Sequence, residues 1–244
     1  MNIAGIIQAR TGSTRLPGKV VKKIGNKTVL EILLYRIKNL NIINKLIVAT
    51  TTKKEDDIIE TISLQNAVQI FRGSEENVLD RYYQAAKKYN ADIIVRITAD
   101  NPLVSLDLIA FQIDYLIKHG CDYVSSKGII IGTGSEVFNF RSLKRSWELG
   151  KERYHIEHVT PYIYENDESF KIKYVSPIQA LERDDIRLTI DTKEDFRLYL
   201  KLNEAFRDLS YADTIEIVDY LDEHPDIKEI NQNVQQKNYR DCWK

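Results

Sequence analysis

Between Gln8 and Lys19 the chain reads QARTGSTRLPGK, with three cations, Arg10, Arg15 and Lys19, set among small and hydroxylated residues. That combination suits a polyphosphate. Small residues let backbone N–H groups come close to phosphate oxygens, and oriented amides form an anion-binding concavity. Each charge-assisted hydrogen bond adds about 1.5–3 kcal/mol. The spacing is not that of a P-loop. One residue too many separates Gly12 from Gly18, and Val20 follows Lys19 where a Ser or Thr would bind Mg²⁺. A metal ligand must therefore come from elsewhere in the chain. Asp100 is one candidate carboxylate: it follows an apolar run, Ile93–Ile97, and precedes Asn101-Pro102. Asp191 is a second, between the run Arg187–Ile190 and a helical pattern. Each also reads as a cap or turn residue, and the two roles can coexist.

These residues need elements to hold them. Ile3–Ile7 is a continuous apolar run and reads as a buried first strand. Strands are expected at Leu46–Ala49, Val68–Phe71 and Ile93–Ile97, separated by helical patterns at 28–39, 54–64 and 75–89 and followed by one near 105–118. This alternation predicts an α/β fold, three-layer αβα, with a mostly parallel central sheet. Right-handed crossovers fix its winding. If the first four strands run 3-2-1-4, the ends of strands one and four are neighbours. Ligands of open parallel sheets bind where strand order reverses. The basic loop would then face Asp100, a carboxylate beside a triphosphate cradle, as a Mg²⁺–nucleotide requires. Pro102 helps the chain turn there.

The rhythm loosens after Gly120. Asp122–Ser126 and Glu136–Phe140 read as strands around a glycine-rich loop, and 141–150 and 155–165 as helices. Phe170–Val175 and Ile186–Ile190 read as strands. Thr192 to Asp195 resembles a capping box opening a helix to about Phe206. A last helix is expected over about 212–223. One domain is expected over 1–226, and 227–244 is a polar, loose tail.

Composition sets limits. The chain has 244 residues, 43% hydrophobic and 29% charged, with a net charge of −1. That is enough for one α/β domain with a sizeable core. It offers no global basic field, so neither nucleic acid nor an anionic membrane is expected as partner. Cys121 and Cys242 make no framework and no C-x-x-C pattern, and read as reduced thiols. No apolar run approaches transmembrane length and no signal peptide precedes the first strand, so a cytoplasmic protein is expected.

Residues 9–19, ARTGSTRLPGK, resemble the signature loop of the cytidylyltransferases that make CMP-activated sugars, in particular the spore coat polysaccharide biosynthesis protein F type, related to CMP-KDO synthetase and acylneuraminate cytidylyltransferase. Further segments agree in order: FRGSEENVLDRY at 71–82, RITADNPL at 96–103, EHVTPY at 157–162 and LTIDTKED at 188–195. The resemblance covers residues 1 to about 205. It implies a nucleotide-diphospho-sugar transferase-like (Rossmann-like) fold with a dimerisation and acceptor insertion near 120–180, and a homodimer. It implies that Asp100 and Asp191 together hold Mg²⁺. CTP and a sugar-acid-like acceptor would be the substrates. Arg10, Arg15 and Lys19 would be the catalytic cations. Nucleotide contacts are expected from Ala9, Gly12, Ser13 and Thr14 as well, and from Arg72, Asp80, Arg81 and Asp100. The guanidinium of Arg72 suits the O2/N3 edge of cytosine, and an ordinary salt bridge explains it equally. Asp80 and Arg81 read either as a packing pair or as ligand contacts.

Other residues stay open at this level. Arg96 lies inside a strand, which is costly unless it is paired, with a structural carboxylate or an anionic acceptor. Glu136 follows Gly132-Thr133-Gly134-Ser135, where the spore coat group carries a Tyr-Pro-x-Gly-x-Asp-x-Glu-like run; Glu136 is expected to contact the acceptor, but only glycines and Glu136 match, which leaves the acceptor's identity open. His155-Ile156-Glu157-His158 cannot turn three ligands toward one ion on a helix. His158 is expected near the acceptor instead. The alternatives are the same chemistry on a phosphorylated acceptor or with another nucleotide, a glycosyltransferase of similar fold, which would normally carry an Asp-x-Asp motif absent here, and a nucleotide sensor without catalysis.

Overall fold

The apolar run at the N-terminus becomes β1 (Ile3–Gln8), buried along almost its whole length as the centre of a parallel sheet requires. The computed structural model describes residues 1–236. Around β1 lie β4 (Lys45–Thr51), β5 (Gln69–Gly73) and β6 (Ile93–Thr98), all parallel, with Gly5 opposite Leu46 on one side and Val95 on the other. Two short strands, β2 (Lys23–Ile24) and β3 (Lys27–Thr28), form a separate hairpin turned at Gly25-Asn26, with Gly25 at φ 61°. The sheet continues through β7 (Tyr123–Ser125), β8 (Glu136–Asn139) and β9 (Ile172–Tyr174) in the order β5-β4-β1-β6-β8-β7-β9. Within this sheet, among the described residues, only β8 is antiparallel to its neighbours. The predicted 3-2-1-4 order of the first four strands is the order observed.

Alternation sorts β1 between two faces. Ile3 and Ile7 pack under α1 (Val29–Lys38), α2 (Asp57–Gln65) and α4 (Leu106–His119), whereas Ala4 and Ile6 pack under α3 (Val78–Lys88) and α5 (Phe140–Leu149). The helices begin where side chains satisfy their first amides. Thr28 and Glu31 form a capping box at α1, and Asn77, Ser105 and Asn139 accept from the first turns of α3, α4 and α5. A third apolar cluster gathers Leu103, Ile130, Leu188 and Ile190 beneath α8 (Lys193–Phe206) and α9 (Thr214–Glu223). The architecture is a three-layer αβα fold with a mostly parallel sheet.

Three expectations need correction. The helix expected over 155–165 is two short ones, α6 (Arg153–His158) and α7 (Pro161–Tyr164). Val159 between them sits at φ 72°, which breaks the helical run, and Pro161 opens the second helix at its first position, where no N–H is needed. The strand expected at Ile186–Ile190 is an extended segment outside the sheet. It makes an isolated bridge with Ile131: Leu188 N–H donates to Ile131 O (2.7 Å), and Ile190 N–H donates to Asp100 O (2.8 Å). A short apolar run buried under helices carries the same pattern as a buried strand. The tail expected from 227 is not loose at its start. It continues α10 (Pro225–Lys228) into a 3₁₀ turn, Glu229–Asn231, and Asn231 is buried. Cys242 and Trp243 lie outside the described residues. Trp147 packs, stacking on Tyr83 at 4.2 Å between ring centroids, and Cys121 is a buried free thiol. No helix among the described residues is long and apolar enough to cross a membrane.

Candidate active site

The loop after β1 is held from behind. Thr11 donates its N–H and its hydroxyl to Asp56 Oδ1, both at 2.8 Å, and Thr51 donates its hydroxyl to Asp56 Oδ2. Gly18 N–H returns to Thr11 O at 2.9 Å, so residues 11–18 close on themselves. Gly18 takes φ 66°, a conformation glycine adopts without steric cost, and a 3₁₀ turn, Lys19–Val21, follows it. Leu16 is buried and pins the loop's tip to the cluster beneath α8. The exposed edge of the loop is left to Arg10, Gly12 and Thr14.

Strand order brings the carboxylates to this loop. Asp100 follows β6, whose end is tied to β1 by the Ala99 N–H bond to Gln8 O (3.0 Å). Asp191 arrives from the other side, carried by the extended segment that bonds to Asp100 O. Lys19 joins them: its Nζ donates to Asp100 Oδ2 at 2.6 Å and to Asp191 Oδ1 at 2.8 Å. Arg15 reaches the same Asp191 oxygen at 3.1 Å. Burial opposes charge on Lys19, but the two carboxylates outweigh it and raise its pKa. Burial likewise opposes ionisation of Asp191, and Lys19, Arg15 and Arg187 outweigh it and hold its carboxyl below the usual range. A cation is thus already seated where the two carboxylates converge.

These groups line a cleft of about 560 Å³ with Ala9, Arg10, Gly12, Ser13, Thr14, Arg81 and His158. Arg81 is buried behind the rim, its guanidinium donating to Ser74 O, and burial lowers its pKa. Burial also lowers the pKa of His158, against the pull of neighbouring Glu157. All the donors at the convergence of Asp100 and Asp191 are carboxylate oxygens, which suits a hard cation such as Mg²⁺. Among the described residues no three His, Cys, Asp or Glu side chains converge to hold a metal. A Mg²⁺ here would draw its other ligands from water and phosphate.

Three expected site residues stand elsewhere. Arg72 turns away from the cleft and spends its donors on Thr51 O (2.8 Å), Asp57 (2.7 Å), Glu60 (2.7 Å) and Lys53 O (2.7 Å). It joins β4, β5 and α2 and leaves no donor edge for a base. Asp80 accepts from Trp147 Nε1 at 2.9 Å and from Gln84 at 3.1 Å, on the outer side of α3. Glu136 lies in a second cavity of about 640 Å³, which adjoins the cleft at Thr98. There it pairs with Arg96 and accepts the hydroxyls of Tyr123 and Thr160. Arg96 therefore has its structural carboxylate. His155 does not share a ligand position with His158: its Nδ1 accepts from Glu152 N–H, and its Nε2 lies 3.0 Å from Glu165.

The sequence reading missed Asp56, Arg187, Asp195 and the acidic rim of Glu75, Glu76 and Glu157. Arg187 gave a signal, a charge inside an apolar run, the same one that marked Arg96. Asp195 was read only as a cap. Asp56, one of three consecutive acidic residues, gave none.

A basic small-residue loop after the first strand, facing carboxylates at the switch point of a parallel sheet, defines an α/β nucleotidyltransferase site. The profile of the cytidylyltransferase family matches residues 4–234, and the chain belongs to that family. It is 54% identical over 241 residues to an uncharacterised protein of Methanocaldococcus jannaschii, covering 99% of each chain. It is 34% identical over 230 residues to the spore coat polysaccharide biosynthesis protein SpsF of Bacillus subtilis, covering 92% of this chain and 96% of that one. The solved structure of a cytidylyltransferase from Leptospira borgpetersenii superposes with a TM-score of 0.88 at 32% identity, covering 98% of this chain and 100% of the other.

Proposed function

We propose that this enzyme transfers CMP from CTP to a hydroxyl of a sugar acid, releases pyrophosphate, and depends on Mg²⁺. The observation that carries the reading is Lys19 bridging Asp100 and Asp191 at the mouth of the basic loop. The acceptor hydroxyl oxygen forms a bond to the α-phosphorus and loses its proton to water, and the bond to the bridging oxygen of the β-phosphate breaks, the electron pair leaving with pyrophosphate. Arg10, Arg15 and Lys19, with the amides near Gly12 to Thr14, hold and neutralise the triphosphate. No covalent intermediate on the chain is needed, because positioning and charge stabilisation can carry this step. Mg²⁺ held by Asp100 and Asp191 would polarise the phosphates and offset charge on the leaving group. With the triphosphate bound, Lys19 would exchange these carboxylates for phosphate oxygens, and Asp100 and Asp191 would be left to hold the cation.

The acceptor sits in the second cavity, beside Tyr123, Lys127 and Tyr174. Arg96 is neutralised there by Glu136, so Lys127, whose ammonium stands 3.6 Å from the Tyr174 ring centroid, is the cation for an acceptor carboxylate. The name of the B. subtilis relative supports a product destined for surface polysaccharide. The enzyme acts in the cytoplasm, as a homodimer. Calorimetry with CTP, UTP, GTP and ATP, with and without Mg²⁺, tests the nucleotide. Selective CTP binding strengthened by Mg²⁺ supports the reading; preference for another triphosphate changes the product; no triphosphate binding overturns it. Pyrophosphate release across a panel of sugar acids then identifies the acceptor.

A further inference from the structure

Asp191 presents only one of its two oxygens to the cleft. Oδ1 takes Lys19 and Arg15, and Oδ2 is drawn backward by Arg187 Nη2 at 2.9 Å. Arg187 is itself 7% exposed and uses every nitrogen of its guanidinium. Its Nε donates to Asp195 Oδ1 at 2.9 Å, Nη2 lies also within reach of Asp195, and Nη1 donates to Gln236. Asp195 has no exposed surface. Its Oδ2 accepts the backbone N–H groups of Asp191 and Thr192, both at 2.9 Å, so the carboxylate that holds Arg187 also fixes the backbone of Asp191. Asn231 closes the assembly from the C-terminal segment. Its Nδ2 donates to Asp195 Oδ1 at 2.8 Å and to Arg187 O at 3.0 Å.

We propose that Arg187 is a positioning residue for Asp191, locked by Asp195 and by the C-terminal clasp of Asn231 and Gln236, so that Asp191 offers a single oxygen to the cation of the cleft. This rests on the assignment of Asp191 to the metal. The physical reason is orientation. A free carboxylate rotates about its terminal torsion and can bind a cation through one oxygen or both. Mg²⁺ demands near-ideal octahedral geometry and keeps several waters, so one fixed oxygen is the better ligand. Groups that hold a metal ligand in place are worth about 10–100-fold in metal affinity or activity. A guanidinium can hold Asp191 and Asp195 at once because its donors diverge in a plane; an ammonium is a compact point charge and cannot reproduce that fork. The segment beyond α10 thereby becomes part of the site, although it lies behind the cleft.

The test is binding of Mn²⁺ alone, read as free Mn²⁺ by electron spin resonance, on Arg187→Lys, Asn231→Ala, Gln236→Ala and Asp191→Asn in the full chain. Each variant is first checked for a cooperative thermal transition, and its CTP affinity is measured in EDTA. The expected result is Mn²⁺ affinity lower by about 10–100-fold in Arg187→Lys, with a smaller loss in Asn231→Ala and the smallest in Gln236→Ala, while CTP binding without metal is retained. A clamp of structural value only would lower the melting temperature and leave the Mn²⁺ affinity of the folded protein alone. Wild-type Mn²⁺ affinity in folded Arg187→Lys, with Asp191→Asn impaired, overturns the positioning role and leaves the metal assignment standing. Wild-type affinity in Asp191→Asn overturns the metal assignment together with this proposal. If Arg187→Lys does not fold, Asn231→Ala decides: unchanged Mn²⁺ affinity there overturns the clasp.

Discussion

The two adjoining cavities of this enzyme handle charge in opposite ways. In the cleft beneath the basic loop, Lys19 and Arg15 meet Asp100 and Asp191, and on the proposed function these cations exchange the carboxylates for phosphate. In the second cavity Arg96, partly buried, pairs with Glu136, which is also held by Tyr123 and Thr160. Burial opposes the charge on Arg96, and Glu136 outweighs it and raises its pKa. A locked pair of this kind gives shape and hydroxyl contacts to a ligand and little net charge. The difference teaches that a charged group in a cavity marks a binding site only when its counter-charge is free to leave. The charges of the cleft should therefore respond to substitution in activity, and the Arg96–Glu136 pair chiefly in stability.

Asp100→Asn tests that contrast where the effect is largest. Turnover, followed as pyrophosphate release, should fall by more than about 100-fold, a scale set by the loss of one transition-state charge contact. The fold should stay intact by circular dichroism. Activity close to wild type would sink the metal role of Asp100. Arg96→Met comes next. It leaves Glu136, a partly buried carboxylate, without its cation, at a cost of about 3 kcal/mol in urea denaturation. A loss below about 1 kcal/mol would erase the distinction between the two cavities.

Acid pH sharpens the comparison further. Burial opposes ionisation of Asp56, but hydrogen bonds from Thr51 and Thr11 outweigh it, and its carboxyl sits below the ordinary value of 3.8. The folded state thus binds this proton more weakly than the unfolded chain does. Its stabilisation is present above about pH 4 and is lost as pH falls through the folded value. Asp56→Asn should be less stable at pH 7 and should show a shallower loss of stability below pH 4. An unchanged acid limb would mean that Asp56 does not anchor the loop through its charge. For Lys19, whose pKa is raised, the contribution persists below pH 10.5 and is lost as pH rises past the folded value. The smallest effect belongs to Arg72→Ala. Its ion pairs with Asp57 and Glu60 are partly exposed, so the cost should be about 1 kcal/mol or less. Its CTP affinity by calorimetry should match the wild type, and a large loss would return Arg72 to the nucleotide.

Local signals made the nucleotide side legible. Ile3–Ile7, the glycines of the loop and the runs ending at Phe71 and Ile97 carry their structure in their own residue types, because buried parallel strands are apolar throughout and tight turns favour particular residues. Strand order then followed from a general rule about where such sheets open. Sequence by itself therefore determined the fold class, the cationic loop and the two carboxylates. Only the tertiary structure decided which groups face each other. Ile186–Ile190 has the pattern of a strand, and only its partners, Ile131 and Asp100, which lie outside the strands, make it an extended strap. Arg72 and Arg96 look alike as cations of strands, yet their roles depend on carboxylates contributed by other elements. Asp195 reads as a cap and is also the floor beneath Asp191, tied to Asn231 thirty-six positions along the chain. Such pairings join residues far apart in sequence; periodicity reports only which face of an element is buried, and packing selects the partner it meets there.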